Sequence, residues 1–276
     1  AAYRGGRRAA SFRGEPRVVI AQAPLHFWRR GEGAPLLLVH GFAGHGESWA
    51  DVAARFPSKR TVASLTLPGH DPACPAAKGA RFEETLDLIA SILKDSVETP
   101  FEAAGYSMGG RVLLGLLVRH PRLVSSATLI GANPGIESEE ERGGRAKWDE
   151  DWARLLEERG TLEFASRWEA LPIFATQETL PEEAKRRQRA IRLRHDPRAL
   201  ASALRSLGLS AMPDYRPELS RIAQPVRLVA GEKDSKFLAI ARRMEKEIPR
   251  AELVVVPGAG HNVPLENPAF LAALFA

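Results

Sequence analysis

Ala103-Ala104-Gly105-Tyr106-Ser107-Met108-Gly109-Gly110-Arg111 is the stretch on which the reading of this chain turns. Its middle, Gly105 to Gly109, fits G-x-S-x-G, a sharp strand-to-helix turn that lifts a serine hydroxyl above a sheet. Glycine is required on both sides of such a serine because the turn leaves no room for β-carbons. Thr99 to Ala104 reads as a short strand before the turn. Arg111-Val112-Leu113-Leu114-Gly115-Leu116-Leu117-Val118 is apolar on every face and predicts a buried helix after it. The pentapeptide alone is common; its place between a strand and a buried helix gives it weight.

Arg111 is the odd residue of this turn. It lies one helical turn beyond Ser107, so both side chains can share a face. A helix N-terminus already carries positive partial charge, which disfavours a cation there. Two accounts stay open: the guanidinium reaches solvent or a nearby carboxylate, or it awaits an anion over the serine.

Outward from the turn, 276 residues give room for one large core with an insertion. A hydrophobic share of 44% with 26% charged residues is that of an ordinary globular protein. No apolar run approaches the roughly 20 residues of a membrane span. Cys74 is the only cysteine, which excludes an intramolecular disulfide and a cysteine-rich metal site and fits a reducing, cytoplasmic setting. Between prolines, it reads as an incidental thiol. The net charge of +5 comes mostly from scattered arginines without interleaved aromatics. That pattern points to a small anionic substrate rather than nucleic acid. Residues 1–14 read as a flexible, basic, glycine-rich arm without the apolar core of a signal peptide.

Taken in order, Leu25 to Arg30 reads as a strand ending in a turn. Leu36-Leu37-Leu38-Val39 reads as a strand buried on both faces. The glycine-rich His40-Gly41-Phe42-Ala43-Gly44 follows it, then a helix from Ser48 to Arg55 and a strand from Thr61 to Leu65. Phe82 to Val97 has helical spacing of Leu86, Ile89, Ala90 and Leu93. Ser126 to Ile130 is a further strand. This alternation predicts an α/β fold, a mostly parallel central sheet with helices on both faces. The rhythm breaks between residues 136 and 219, where only helices are expected: Glu137 to Arg159, Leu162 to Trp168, and a basic helix from Pro181 to Arg194 ending near Pro197. These residues read as an all-helical cap inserted between core segments 15–135 and 220–276. Strands Val226 to Ala230 and Leu253 to Val256, with helices Phe237 to Glu247 and Pro268 to Phe275, complete the sheet.

Two more strand ends carry ionisable side chains, Gly231-Glu232-Lys233-Asp234 and Gly258-Ala259-Gly260-His261. A serine hydroxyl becomes reactive when a histidine takes its proton and an acid orients and stabilises the resulting cation. Ser107, His261 and Asp234 fit those roles, with Glu232 the competitor for the acid. His70 precedes the serine and reads as structural. The N–H groups of Met108, at a helix N-terminus, and of Phe42 are the expected oxyanion donors.

With this order of serine, aspartate and histidine, and the His40-Gly41-Phe42 loop, the chain resembles the α/β-hydrolase superfamily over nearly its whole length. A narrower resemblance rests on Gly105-Tyr106-Ser107-Met108-Gly109-Gly110-Arg111, Asn133-Pro134-Gly135-Ile136, Glu141-Arg142-Gly143-Gly144-Arg145 and Trp168. Pro172-Ile173-Phe174-Ala175, Leu193-Arg194, Gly231-Glu232-Lys233-Asp234-Ser235-Lys236-Phe237 and Gly260-His261-Asn262 extend it. These are similar to the 2-succinyl-6-hydroxy-2,4-cyclohexadiene-1-carboxylate (SHCHC) synthases of menaquinone biosynthesis. The resemblance implies a lyase that eliminates pyruvate from 2-succinyl-5-enolpyruvyl-6-hydroxy-3-cyclohexene-1-carboxylate without metal or organic cofactor. Ser107 would act as a base rather than a nucleophile. Arg111, Arg145 and Arg194 would bind substrate carboxylates, with Tyr106 and Trp168 lining the pocket. Arg142 replaces Arg145, and Arg192 replaces Arg194, if the register slips. An ester or carbon–carbon bond hydrolase with an acyl-enzyme is the competing enzyme, and a non-catalytic small-ligand receptor the competing class. Monomer and homo-oligomer are both open.

Overall fold

Leu36–Val39 forms the middle of the molecule because its four side chains are all fully buried. Leu37 and Val39 enter one hydrophobic cluster and Leu36 and Leu38 another, so the strand is covered on both faces. The structure is a computed structural model that describes residues 18–19, 25–29, 31, 35–56, 60–76 and 79–275. The basic arm read in residues 1–14 lies outside the described residues.

The strands are β1 (Val18–Val19), β2 (Leu25–Arg29), β3 (Leu36–Val39), β4 (Val62–Leu65), β5 (Phe101–Tyr106), β6 (Val124–Ile130), β7 (Val226–Gly231) and β8 (Ala251–Val256). They form one sheet in the order β1-β2-β4-β3-β5-β6-β7-β8. β1 and β2 pair antiparallel and all pairs from β4 to β8 are parallel, which makes the sheet mostly parallel as expected. The chain leaves β3 towards β4 and returns to β5 on the other side. That reversal opens a crevice at the carboxyl ends of β3 and β5, where open α/β sheets bind ligands.

The helices are α1 (Ala50–Ala53), α2 (Phe82–Ser96), α3 (Met108–Arg119), α4 (Glu139–Glu169), α5 (Glu182–Leu193), α6 (Pro197–Leu207), α7 (Ser235–Glu247), α8 (Val263–Glu266) and α9 (Pro268–Ala273). α3 is the buried helix after the elbow, with every residue from Met108 to Leu117 buried. Between β6 and β7 the described residues form helices only.

Four local expectations differ from the structure. The helix expected over Ser48–Arg55 is a 3-10 turn, Gly46–Trp49, followed by the single turn α1. The strand expected from Thr99 starts at Phe101, beyond Pro100, and runs to Tyr106. The charged helix and its successor are one helix, α4, broken at Gly160, whose φ of 74° only glycine adopts readily. Pro197 begins a separate helix rather than ending one: Asp196 caps α6 by accepting the Ala199 N–H at 2.8 Å, and proline fits the first helical position.

Candidate active site

Ser107 stands between β5 and α3 with φ of 51°, in the left-handed region that residues with a β-carbon avoid. What holds it there is partly the sheet. Tyr106 pairs with Ile130, and the Ser107 N–H donates to the Ile130 carbonyl at 2.8 Å, one residue beyond the strand. The glycines do the rest. A methyl group on Gly105 would strike the Gly109 carbonyl, and one on Gly109 would strike the carbonyl oxygens of Val39 and His40. The second contact shows the start of α3 pressed against the loop that leaves β3.

His261 Nε2 lies 3.2 Å from Ser107 Oγ, and His261 Nδ1 donates to Asp234 Oδ2 at 2.7 Å. His261 and Asp234 are both buried, so their bond is little screened. Asp234 is fixed twice, because its other oxygen accepts the Phe237 N–H at the start of α7. Glu232, the competitor, points elsewhere and accepts the Gly258 N–H at 2.8 Å. Rings of Phe237, Tyr106 and Phe174 surround the imidazole at 4.4, 5.3 and 6.3 Å. Burial pushes the Tyr106 hydroxyl well above its ordinary pKa, so it stays protonated. Glu266 accepts the N–H groups of Gly260 and Asn262, at 2.6 and 3.0 Å, on either side of the histidine.

Neither the Phe42 nor the Met108 N–H has an acceptor among the described residues. Both lie where the β3 loop meets the elbow. That loop is held by two buried, neutral histidines. His40 donates from Nδ1 to the Gly41 carbonyl at 2.7 Å and accepts the Leu67 N–H at Nε2. His70, read from sequence as structural, accepts the Ala43 N–H at Nε2 and donates from Nδ1 to the Pro68 carbonyl. Burial pushes His40 down to about 3 and His70 well below its ordinary value, which keeps both Nε2 atoms acceptors.

The five arginines in question divide sharply. Arg111 is buried, and its guanidinium donates to the Leu207 carbonyl at 2.8 Å. Burial first, and the charge of Arg145 second, draw it down to about 9, still cationic at neutral pH. Arg145 donates to Asp149 at 2.9 Å and lies over the Trp148 ring at 4.3 Å. The structure therefore brings Arg111 and Arg145 together. Arg142 is spent on backbone, donating to the carbonyls of Ile136, Ser210 and Met212.

Arg194 is a correction. It is not brought to the site but pairs with Glu47 at 2.7 Å on the surface, its side chain 54% exposed. Its neighbour Arg192 is the buried one, paired with Glu169 at 2.9 Å, 5.9 Å from the Phe174 ring and within electrostatic range of the Tyr106 hydroxyl. Two residues apart at the end of α5 is about 200° of helix, so the two side chains leave on opposite faces.

Trp168 is buried in a run of aromatic rings with Phe42, Trp148, Trp152, Phe164 and Phe174. Phe42 thus contributes a ring to the contact with α4 as well as a backbone N–H. Sequence reasoning missed Phe237 and Glu266. Phe237 had a usable signal, an aspartate three residues upstream at a helix N-cap. Glu266 had none, since its partners are backbone.

A family model described as the alpha/beta hydrolase fold matches residues 34–268. The 2-succinyl-6-hydroxy-2,4-cyclohexadiene-1-carboxylate synthase of Enterobacter sp. (strain 638) is 34% identical over 241 residues, 87% of this chain and 90% of its own. MenH from S. aureus superposes with a TM-score of 0.85 at 29% identity, covering 91% of this chain and 96% of that one. A thermophilic esterase from Thermogutta terrifontis superposes at 0.79 and 23% identity over 95% and 97%, a likeness of fold alone.

Proposed function

The chain belongs to the alpha/beta hydrolase fold family and, within it, to the 2-succinyl-6-hydroxy-2,4-cyclohexadiene-1-carboxylate synthases, and on that footing we propose how it works. It eliminates pyruvate from 2-succinyl-5-enolpyruvyl-6-hydroxy-3-cyclohexene-1-carboxylate in menaquinone biosynthesis. Ser107 Oγ, its proton drawn by His261 Nε2 at 3.2 Å, takes the ring proton. The electron pair of the broken C2–H bond becomes the C2–C3 double bond, the C3–C4 double bond moves to C4–C5, and the C5–oxygen pair leaves with the enolate of pyruvate, which takes up a proton to become pyruvate. Asp234 stabilises the imidazolium through the 2.7 Å bond to Nδ1. The N–H groups of Phe42 and Met108 hold the negative charge that develops on oxygen.

The observation that carries this reading is Arg111. A buried guanidinium one turn from the serine, bonded to a carbonyl and not to a carboxylate, is a cation prepared for an anionic substrate. Arg145 and Arg192 supply further positive charge, Arg192 in the place first read for Arg194. Tyr106, Trp168 and Phe174 form the apolar walls. Residues 136–219 act as the cap over a core of 15–135 and 220–276. No helix among the described residues is long and apolar enough to cross a membrane. We read the reaction as cytoplasmic, a reading supported by the single cysteine of the sequence, Cys74, which is free and buried.

The deciding experiment supplies the enolpyruvyl substrate and an aryl ester to the same enzyme. Pyruvate release with poor ester turnover is expected. Efficient ester hydrolysis without pyruvate release would make the chain a hydrolase with an acyl-enzyme. Saturable binding without turnover would make it a receptor.

A further inference from the structure

The junction between α5 and α6 rests on the β3 loop and its neighbour through three contacts. Arg194 pairs with Glu47, just beyond the loop, at 2.7 Å. Gly69, at φ of 82°, lets α6 approach so closely that a β-carbon there would come within 2.6 Å of the Ala199 carbonyl and 2.7 Å of the Ala203 methyl. Between them His195, buried to 8% exposure, donates from Nδ1 to the His70 carbonyl at 3.0 Å.

His70 is the residue whose ring holds Ala43. Its Nε2 accepts the Ala43 N–H at 3.2 Å, and its ring meets those of Phe42 at 5.8 Å and His195 at 5.6 Å. Ala43 has φ of 55°, a conformation that a residue with a β-carbon keeps only when its surroundings impose it. The residue before it is Phe42, whose N–H has no acceptor in the chain among the described residues. Among the described residues His195 Nε2 makes no hydrogen bond of full geometry, although the Ala43 backbone lies close enough to act on the ring, so the Nδ1 bond to His70 is the one that fixes its orientation. A chain of contacts thus runs from the cap, through the backbone and ring of His70, to the strained turn that aims the Phe42 amide.

We propose that His195 is a positioning residue for the oxyanion hole, coupling the seating of the cap to the aim of the Phe42 N–H through His70 and Ala43. The proposal rests on the reading of the Phe42 N–H as an oxyanion donor. A bond that aims a donor acts on the charge of the transition state, so its loss falls on kcat and spares ground-state binding.

The test compares His195→Asn, whose amide nitrogen can take the place of Nδ1, with His195→Leu, which keeps bulk and loses the donor. Two readouts are taken, steady-state pyruvate release and amide hydrogen exchange of the 41–44 segment. In His195→Leu, kcat is expected to fall about tenfold with KM within about twofold, and exchange in 41–44 to quicken about tenfold. His195→Asn is expected to stay within about twofold of wild type in both. Unchanged exchange and kcat in the leucine variant would overturn the proposal. So would an asparagine variant as impaired as the leucine one, or faster exchange spread over the whole chain with an equal loss of Tm. The exchange readout needs no substrate. If the wild-type enzyme releases no pyruvate, the proposed function fails while the exchange pair still decides the coupling.

Discussion

The guanidinium of Arg111 donates to the carbonyl of Leu207 at 2.8 Å, joining the elbow helix α3 to the end of α6. A carbonyl accepts a hydrogen bond but does not neutralise a charge. The nearest carboxylate with influence, Asp149, is already shared by Arg145 and Ser210. Arg111 therefore pays a desolvation cost that a substrate carboxylate can repay. Arg111→Met is expected to lower kcat/KM by about 2–5 kcal/mol of transition-state binding, roughly 30- to 5,000-fold. The same variant is expected to keep or raise Tm, because it removes a buried cation. A Tm lowered by several degrees with unchanged kcat/KM would make Arg111 a structural tie between core and cap.

Arg192 and Arg194 offer a direct contrast. Arg192→Met is expected to raise KM for the anionic substrate about tenfold or more, the size of a lost charge-assisted contact. Arg194→Ala removes only an exposed pair with Glu47 and is expected to change stability by less than about 1 kcal/mol. Its KM is expected to stay near that of wild type. Steady-state kinetics on the two variants separates the assignments, and the reverse pattern would restore Arg194 to the site.

These two arginines also show where the sequence stops being informative. The elbow was legible because its constraints are local: two glycines, a serine, and a strand and a buried helix within a few residues. The sheet was legible because Leu36 to Val39, buried on both faces, has no polar residue to hide. At the end of α5 the decision depends on helix phase at a terminus, where one residue is 100° and a pattern of charges on both faces gives no reference. α6 was hidden because a proline suits either the first position of a helix or the residues just beyond its end, and only the Asp196 cap distinguishes the two. His195 and His70 meet across 125 positions of sequence. Nothing local to either predicts a contact made by packing the cap on the core.

The triad gives a prediction with two levels. Ser107→Ala is expected to abolish pyruvate release, since Ser107 Oγ is the one group among the described residues that meets His261 Nε2. Asp234→Asn keeps the shape and loses the charge that holds the imidazolium, and is expected to lower kcat by about 10⁴. Both variants should fold, which circular dichroism and Tm check. Substantial turnover by the serine variant would mean that another group removes the ring proton.

The neutral histidines tie stability to pH with a sign that can be worked out. His40 is pushed down to about 3 and His195 to about 4, by burial first in each case, and His70 is lowered well below its ordinary value by the same cause. In the unfolded chain each returns to the ordinary value of 6.5. Above that pH both states carry neutral rings and the histidines add no pH dependence. Below it the unfolded state binds protons that the folded state refuses, so stability falls as pH falls, down to the folded pKa values. The slope is about 1.4 kcal/mol per pH unit for each excluded proton, or about 2 kcal/mol at about pH 5 for each of His40 and His195, and His70 acts in the same direction. Depressed carboxylates such as Asp71 add their own loss only at lower pH, below their unfolded values near 3.8. Urea denaturation at about pH 7.5 and pH 5 reads the effect before the carboxylates contribute. His195→Asn removes one titrating group and is expected to flatten the dependence in part, while His40 and His70 keep the rest. A midpoint that stays level across this range would mean that these rings are protonated in the folded state and that water reaches the β3 loop.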